Sequence, residues 1–417
     1  MNLEQDLLVE SFYPQLNSLR IAVVTETFPP EVNGVAMTLG RIVEGLVRRG
    51  HTVQLIRPRQ AREVSRPMLN GLEEILSPGL PVPTYADLRF GFPSKRRLSK
   101  LWGSQRPDIV HVVTEGPLGW SAIAAARKMQ LPVTSSFHTN FQSYSPHYGL
   151  GLLKRPIDSY LRKLHNRTQA TMVPTRALMR DLQSRGYQNL KLLSRGVASD
   201  LFSPAKRSAD LRRRWGAGDE DLVVLAVGRL AKEKNLGLVI ESFRAIQARH
   251  PAAKMVFVGD GPLRPALQAA CPCAIFAGNR HGEDLAAHYA SSDLFLFPSL
   301  TETYGNVVPE ALASGLAVVS YACAAALELI TSGTDGMLVR ADNEQEFIDT
   351  ALSVAMQPEL LRGLKRSSVQ SVAHLPWDTI FDNFVGHLTR VIHETKAGLC
   401  AKETIGLAAK SVSQTNA

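Results

Sequence analysis

Cysteine is scarce in this chain. Four residues, Cys271, Cys273, Cys323 and Cys400, stand in a length of 417. So few and so clustered, they make no disulfide framework, and Cys-Pro-Cys is neither the spacing of a zinc knuckle nor a CxxC redox pair. Reduced, structural thiols of a cytosolic protein are expected. Long hydrophobic runs are missing too: the longest uncharged stretch, Ala311 to Leu327, is interrupted by Ser314, Gly315 and Ser320, whereas a membrane helix wants ~20 apolar residues. The opening MNLEQDLLVESF carries acids where a signal peptide would carry Lys or Arg, so no secretion signal is read. Several catalytic signatures are absent: HExxH, the GxSxG elbow and the GxxxxGK(S/T) loop. The one DxD, Asp219 to Asp221, precedes a strand instead of ending one, so no bound metal and no organic cofactor are expected.

What remains is ordinary globular composition. Hydrophobic residues are 45% and aromatics 7%, with 30 Gly and 24 Pro, which excludes a disordered or collagen-like chain over most of the length. At about 100 to 200 residues per domain, two or three domains are expected. Lys and Arg number 47 against 38 Asp and Glu, a formal net charge of +9. That balance suits phosphate-bearing ligands, nucleic acid or an anionic membrane surface, and the sum does not choose among them.

From Leu19 an apolar run, RIAVVTETF, a loop, PPEVNG, an amphipathic stretch, VAMTLGRIVEGLVRRG, and a second run, HTVQLIRP, follow one another. They read as strand, loop, helix and strand of a right-handed βαβ crossover. The theme repeats through PDIVHVV, LPVTSSFH and ATMVP. After RGVASDLFSP and a basic, polar stretch, a second series opens at LVVLAVG and continues through KMVFVGDG, AIFAG, LFLFPS, AVVSYA and GMLVR. Short strands apolar on both faces require parallel sheets covered by helices on both sides. The fold class is therefore α/β, in two similar lobes, placed at 1–200 and 201–374. Trp377, Ile380, Phe381, Phe384, Leu388, Val391 and Ile392 recur at helical spacing. Residues 375–396 are accordingly read as one more helix with a stripe to bury, and 397–417 as a mobile tail.

Four places could carry chemistry. The loop Pro29 to Gly34 lets backbone approach a ligand at a helix start, or is simple turn chemistry. In VGRLAKEKN, Arg229 and Lys234 follow a strand end, where two cations suit a diphosphate; read plainly, it is a solvated loop in which Lys232, Glu233 and Lys234 exchange surface ion pairs. In PSLTETYGNVVPEALASG, Glu302 and Glu310 flank a loop in which Gly305 and Asn306 open a helix and Pro309 falls in its first turn. Free N–H groups there attract phosphate, and sugar hydroxyls are natural donors to the two carboxylates. Read plainly, Glu302 is a cap and Glu310 a surface acid. His138, in SSFHTN, ends a strand at the ligand-facing edge, while His111 inside DIVHVV reads as a core or strand-end residue.

Taken in order, TETFPPEVNGVAMTL, SSFHTN, RGVASDLF, GRLAKEKN, GDGPLR and TETYGNVVPEALASG resemble a retaining glycosyltransferase of family four with the GT-B fold. The resemblance spans roughly residues 19 to 395, and Glu302 with Glu310 matches the family's ExxxxxxxE signature. It implies two Rossmann-like lobes facing across an interdomain cleft, a nucleotide-sugar donor held mainly by the second lobe, an acceptor held by the first, and a C-terminal helix crossing back to the first. By the same resemblance Arg229 and Lys234 bind the donor diphosphate, Glu310 accepts from ribose hydroxyls, and Glu302 orients hydroxyls of the transferred sugar. His138 hydrogen-bonds that sugar, and Gly34 with the backbone of Thr303, Tyr304, Gly305 and Asn306 lets sugar and phosphates approach. Asn33 with Gly34 replaces the family's usual glycine pair, Tyr304 replaces a Phe, and Pro309 precedes Glu310.

The same motifs most resemble bacterial enzymes that move α-mannose from GDP-mannose, with UDP-sugar enzymes close by. The expected acceptor is a lipid-linked or other saccharide. Lys95, Arg96, Arg97 and Lys100 beside Phe90, Phe92 and Leu98 read either as a solvated basic helix or as a peripheral contact with an anionic membrane. The expected location is cytoplasmic, at the inner membrane's cytoplasmic face if the contact exists. A nucleotide-sugar epimerase and a non-catalytic sugar-binding protein remain as rivals. Nucleic acid is not expected, since the basic residues are dispersed and not interleaved with stacking aromatics.

Overall fold

The computed structural model describes residues 18–31, 33–60, 69–82, 85–138 and 154–414. Nine strands come first: β1 (Arg20–Val24), β2 (Thr52–Pro58), β3 (Leu72–Ser77), β4 (Gly79–Val82), β5 (Tyr85–Gly91), β6 (Ile109–Val112), β7 (Val133–Ser136), β8 (Ala170–Val173) and β9 (Leu190–Leu192). Six follow: β10 (Val223–Val227), β11 (Lys254–Val258), β12 (Ile275–Gly278), β13 (Leu294–Phe297), β14 (Ala317–Tyr321) and β15 (Met337–Val339).

The first sheet has the order β3-β2-β1-β6-β7-β8-β9 and the second β12-β11-β10-β13-β14-β15, each parallel throughout. Strand order reverses beside β1 in one sheet and beside β10 in the other. Open α/β sheets present their ligand crevices at such switch points, beyond the carboxyl ends of the strands. The loops holding Pro29 to Gly34 and Gly228 to Lys234 start there.

The sequence leaves β3, β9 and the antiparallel β4-β5 pair unread. β3 has glutamates at Glu73 and Glu74 and is largely exposed, and β4 contains Pro81. Edge strands tolerate such residues because one side of their backbone needs no partner, so they lack the apolar signature of central strands.

Packing passes from the first lobe to the second between Leu193, which joins the β1 core, and Val197, which joins the β10 core. The sequence places this change at 200/201, from a shift to polar composition. Ser194, Arg195 and Gly196 lie between the two, a few residues before that position, and the Val197 N–H donates to the Leu375 carbonyl at 2.9 Å where the chain returns. The helix Trp377–Gln414 then buries Ile380, Phe381, Phe384, Leu388 and Ile392 against β1 and the helix Gly34–Arg48. Gly45 permits that crossing: a Cβ there would lie 2.5 Å from the Phe381 ring. This helix runs on past residue 396, where the sequence expectation ends it and starts a mobile tail. The continuation holds Ala397, Leu399, Ala401, Lys402, Leu407, Ala408, Ala409 and Lys410, whose helix propensity sustains the backbone beyond the docked stripe despite Gly398 and Gly406.

Candidate active site

At the second lobe's crevice, Gly228 and Gly259 end β10 and β11 with φ of 141° and 132°, and a Cβ on Gly259 would lie 1.9 Å from the Gly228 carbonyl oxygen. Only glycine lets these strand ends meet. Gly228, Arg229, Lys234, Phe297 and Pro298 line a small pocket here, with Arg229 exposed. The Lys234 ammonium stands 5.5 Å from the Phe297 ring centroid and pairs with the Glu302 carboxylate. Ser299 Oγ donates to the same Glu302 oxygen at 2.8 Å. Glu302 is thus ion-paired, not a helix cap.

Glu310, on the helix Val307–Ala313, stands apart from that pair. Tyr289 donates its hydroxyl to Glu310 Oε2 at 3.0 Å, and burial raises the carboxyl to about 7 against the attraction of Arg41 in the first lobe. A half-buried carboxylate aimed by a tyrosine is not a solvated surface acid. Thr303 is buried, and Gly305 takes φ +84° in the loop between the two glutamates.

Tyr304 is almost wholly buried: its hydroxyl donates to the Arg195 carbonyl at 3.2 Å and its ring lies beneath the Arg195 guanidinium at 5.3 Å. The residue therefore props the loop from behind, which explains why a hydroxylated ring is accommodated. Asn306 makes no side-chain cap to its own helix, and its Oδ1 accepts from Arg195 at 3.1 Å.

On the first lobe Asn33 caps the helix Gly34–Arg48, accepting from Val35 and Ala36 at 3.1 and 2.8 Å. Its amide also donates to Thr27 Oγ1 at 2.8 Å, so the residue in place of the usual glycine holds the loop's shape. Gly34 looks across the cleft, where a Cβ would lie 3.9 Å from Arg195 and 4.0 Å from Asn306. His138 Nδ1 lies 3.3 Å from Arg195. Burial first, then the charge of Arg195, holds the imidazole well below its usual range. His111 is a buried core residue bonded to Thr134 and Ser136 at 2.9 and 3.0 Å.

Two features escape the sequence. Arg195 gathers Gly34, His138 and Asn306 around one guanidinium, and its only signal is its place in RGVASDLF. Glu26, in TETFPP, accepts from the Gly91 and Leu118 N–H groups, both at 3.2 Å, and burial raises it to about 7. Glu115 adds to that rise and sits 3.6 Å from His165. Among the described residues no three His, Cys, Asp or Glu side chains gather as a metal site.

Two Rossmann-like lobes that face each other, each a parallel sheet with its crevice at the switch point, define the GT-B fold. Sucrose-phosphate synthase from Thermosynechococcus elongatus shares the fold at a TM-score of 0.70 and 16% identity, over 90% of this chain and 99% of that one. Profiles described as Glycosyltransferase Family 4 and Glycosyl transferases group 1 match residues 32–201 and 221–357. A GDP-mannose-dependent alpha-mannosyltransferase of Mycobacterium tuberculosis is 32% identical over 89% of this chain and 97% of that protein. One of the same description from Corynebacterium glutamicum is 31% identical over 90% of each. The alpha-monoglucosyldiacylglycerol synthase of Acholeplasma laidlawii is 25% identical over 84% of this chain and 92% of that protein. The chain belongs to glycosyltransferase family 4.

Proposed function

We propose that this protein transfers an α-mannosyl residue from GDP-mannose, with retention and without a metal, to a lipid-linked or other saccharide acceptor. The observation that carries the donor is the likeness, over about nine-tenths of the chain, to enzymes named for GDP-mannose and α-mannosyl transfer.

The geometry supports a chemistry for it. Arg229 and Lys234 supply the positive charge for the departing diphosphate, and Glu310 accepts from the ribose hydroxyls. Glu302 takes hydroxyls of the mannosyl ring once Lys234 turns to phosphate, and His138 meets that ring from the other rim. The bond from the anomeric carbon to the diphosphate oxygen breaks, and the acceptor oxygen forms its bond on the same face. The acceptor's proton passes to the departing phosphate, and GDP leaves. Charge stabilisation is then the protein's main contribution, and one such contact is worth ~100- to 1000-fold in rate.

A membrane-borne acceptor is supported by the surface around β5. Leu80, Phe90 and Phe92 are 57%, 46% and 43% exposed beside the exposed Lys95, Arg96, Arg97 and Lys100, while Leu98 is buried. Basic residues near an anionic leaflet contribute about 1 kcal/mol each. No described helix is long and apolar enough to cross a membrane.

The test is a donor screen by melting temperature and hydrolysis, with chelator present, over GDP-mannose, UDP-glucose, UDP-galactose, UDP-N-acetylglucosamine and UDP-glucuronate. GDP-mannose alone should both stabilise and be consumed; at 100 times its Kd the gain is ~2.7 kcal/mol. Consumption of a UDP-sugar instead would replace the donor, and stabilisation by free sugars alone would replace the reaction.

A further inference from the structure

We propose that Arg195 is a positioning residue that fixes His138 as its Nε2–H tautomer, so that the imidazole offers a hydrogen-bond donor to the transferred sugar. The inference rests on His138 meeting that sugar, as in the proposed function. It deepens that reading by assigning the atom that makes the contact.

A guanidinium has five donors and no acceptor. With Arg195 Nη2 3.3 Å from His138 Nδ1, that nitrogen must present its lone pair. The one proton of the neutral ring then sits on Nε2. A second proton on Nδ1 would face the guanidinium, so the ring is kept uncharged as well. The other groups acting on the ring are imidazoles: His111 from β6, itself held to about 3 by burial, and His165 from the helix Lys154–His165. His165 in turn faces Ser135 at 2.9 Å and Glu115 at 3.6 Å.

Arg195 is held in place by the opposite lobe. Asn306 Oδ1 accepts from its Nη1 at 3.1 Å, the Tyr304 ring lies 5.3 Å beneath it, and the Tyr304 hydroxyl donates to its carbonyl at 3.2 Å. Asn306 and Tyr304 belong to the loop between Glu302 and Glu310. The loop that would seat the donor therefore also aligns the guanidinium that sets the histidine on the acceptor side. His138 receives its tautomer only where the lobes meet.

The direct test is nitrogen NMR of the full chain carrying 15N-histidine, with His138 assigned by comparison with His138→Gln. In the wild type, Nδ1 should resonate as an unprotonated nitrogen and Nε2 as a protonated one, unchanged from pH 5.5 to 8. Arg195→Met should mix the two tautomers while burial still keeps the ring neutral, whereas Arg195→Lys, also donor-only, should preserve the wild-type pattern. GDP-mannose hydrolysis should follow. In Arg195→Met the rate falls in proportion to the lost Nε2–H population, and in Arg195→Lys it does not. A wild-type His138 with its proton on Nδ1, or an Arg195→Met variant that keeps the pure wild-type tautomer, overturns the proposal. If Arg195→Met does not fold, the wild-type spectrum and Asn306→Ala, which loosens the guanidinium, still decide it. The spectra need no donor, so failure here is distinct from a wrong donor, which shows as no GDP-mannose consumption by the wild type.

Discussion

Lys234 and Glu302 are ion-paired across the second lobe's crevice, the lysine side chain 18% exposed and the glutamate 9%. The cation assigned to the diphosphate is therefore held by the carboxylate assigned to the sugar, and the proposed donor binding would exchange these partners. Lys234→Met should lower kcat by about 100- to 1000-fold, as loss of one preorganised charge contact does. Glu302→Gln should lower kcat yet bind GDP at least as tightly as the wild type, because it frees the lysine. Calorimetric titration with GDP checks this, and weaker binding by Glu302→Gln contradicts the exchange.

The lobes are also latched at a second place. Glu328 Oε1, from the second lobe, accepts from the N–H groups of Arg176 and Ala177 at 2.8 and 3.2 Å and so caps the helix Arg176–Ser184 of the first. A cap is worth about 0.5 to 2 kcal/mol. Glu328→Ala should therefore raise the KM for donor several-fold and enlarge the radius of gyration of the free protein, read by small-angle scattering. An unchanged radius and KM would mean that the contact does not hold the lobes together.

Burial sets the pH response of Glu310. The free carboxyl sits at about 7, and in the proposed role the ionised form is the one with acceptors for both ribose hydroxyls. GDP affinity should weaken as pH falls below about 7, and Glu310→Gln should remove that component. Titrations of both proteins from pH 5.5 to 8.5 isolate it from the titration of GDP itself.

Glu26 makes a prediction of opposite use. Its folded pKa is raised from 4.5 to about 7, so the native state binds more protons over that window and stability falls as pH rises through it. The loss is on the order of 3 kcal/mol. Glu26→Gln keeps an oxygen for Gly91 and Leu118 and has nothing to titrate. Its urea midpoint should gain on the wild type between pH 5 and 8, and parallel profiles would contradict the shift.

The helix that crosses back tests the packing. Phe384 is 1% exposed, and its ring meets His111 edge-on at 4.9 Å. Phe384→Ala should cost the first lobe about 3 to 5 kcal/mol, read as an earlier urea transition.

Much of this was legible in the chain. β1, β10 and β13 are runs of Val, Leu, Ile and Phe whose apolar character on both faces announces a covered parallel sheet, and the docking stripe of Phe381, Phe384 and Leu388 repeats at helical spacing. Arg229, Lys234, Glu302 and Glu310 were legible because strand ends and a helix start frame them. The pairing of Lys234 with Glu302 was not, since it joins residues brought together only by the β10–β13 neighbourhood. Nor was the meeting of Arg195 with His138 and Asn306, which needs both lobes in place. Burial of the Tyr304 ring in the second lobe's core, beside Phe297 and Val308, likewise depends on tertiary packing.

One measurement addresses the central claim: proton NMR of GDP-mannose incubated with the protein and excess chelator, followed from the first minutes. The account predicts that the mannose released, or transferred to an added acceptor, carries the α configuration first, and that Lys234→Met suppresses the signal. Release of β-mannose first, or an intact GDP-mannose signal where a UDP-sugar is consumed, would contradict it.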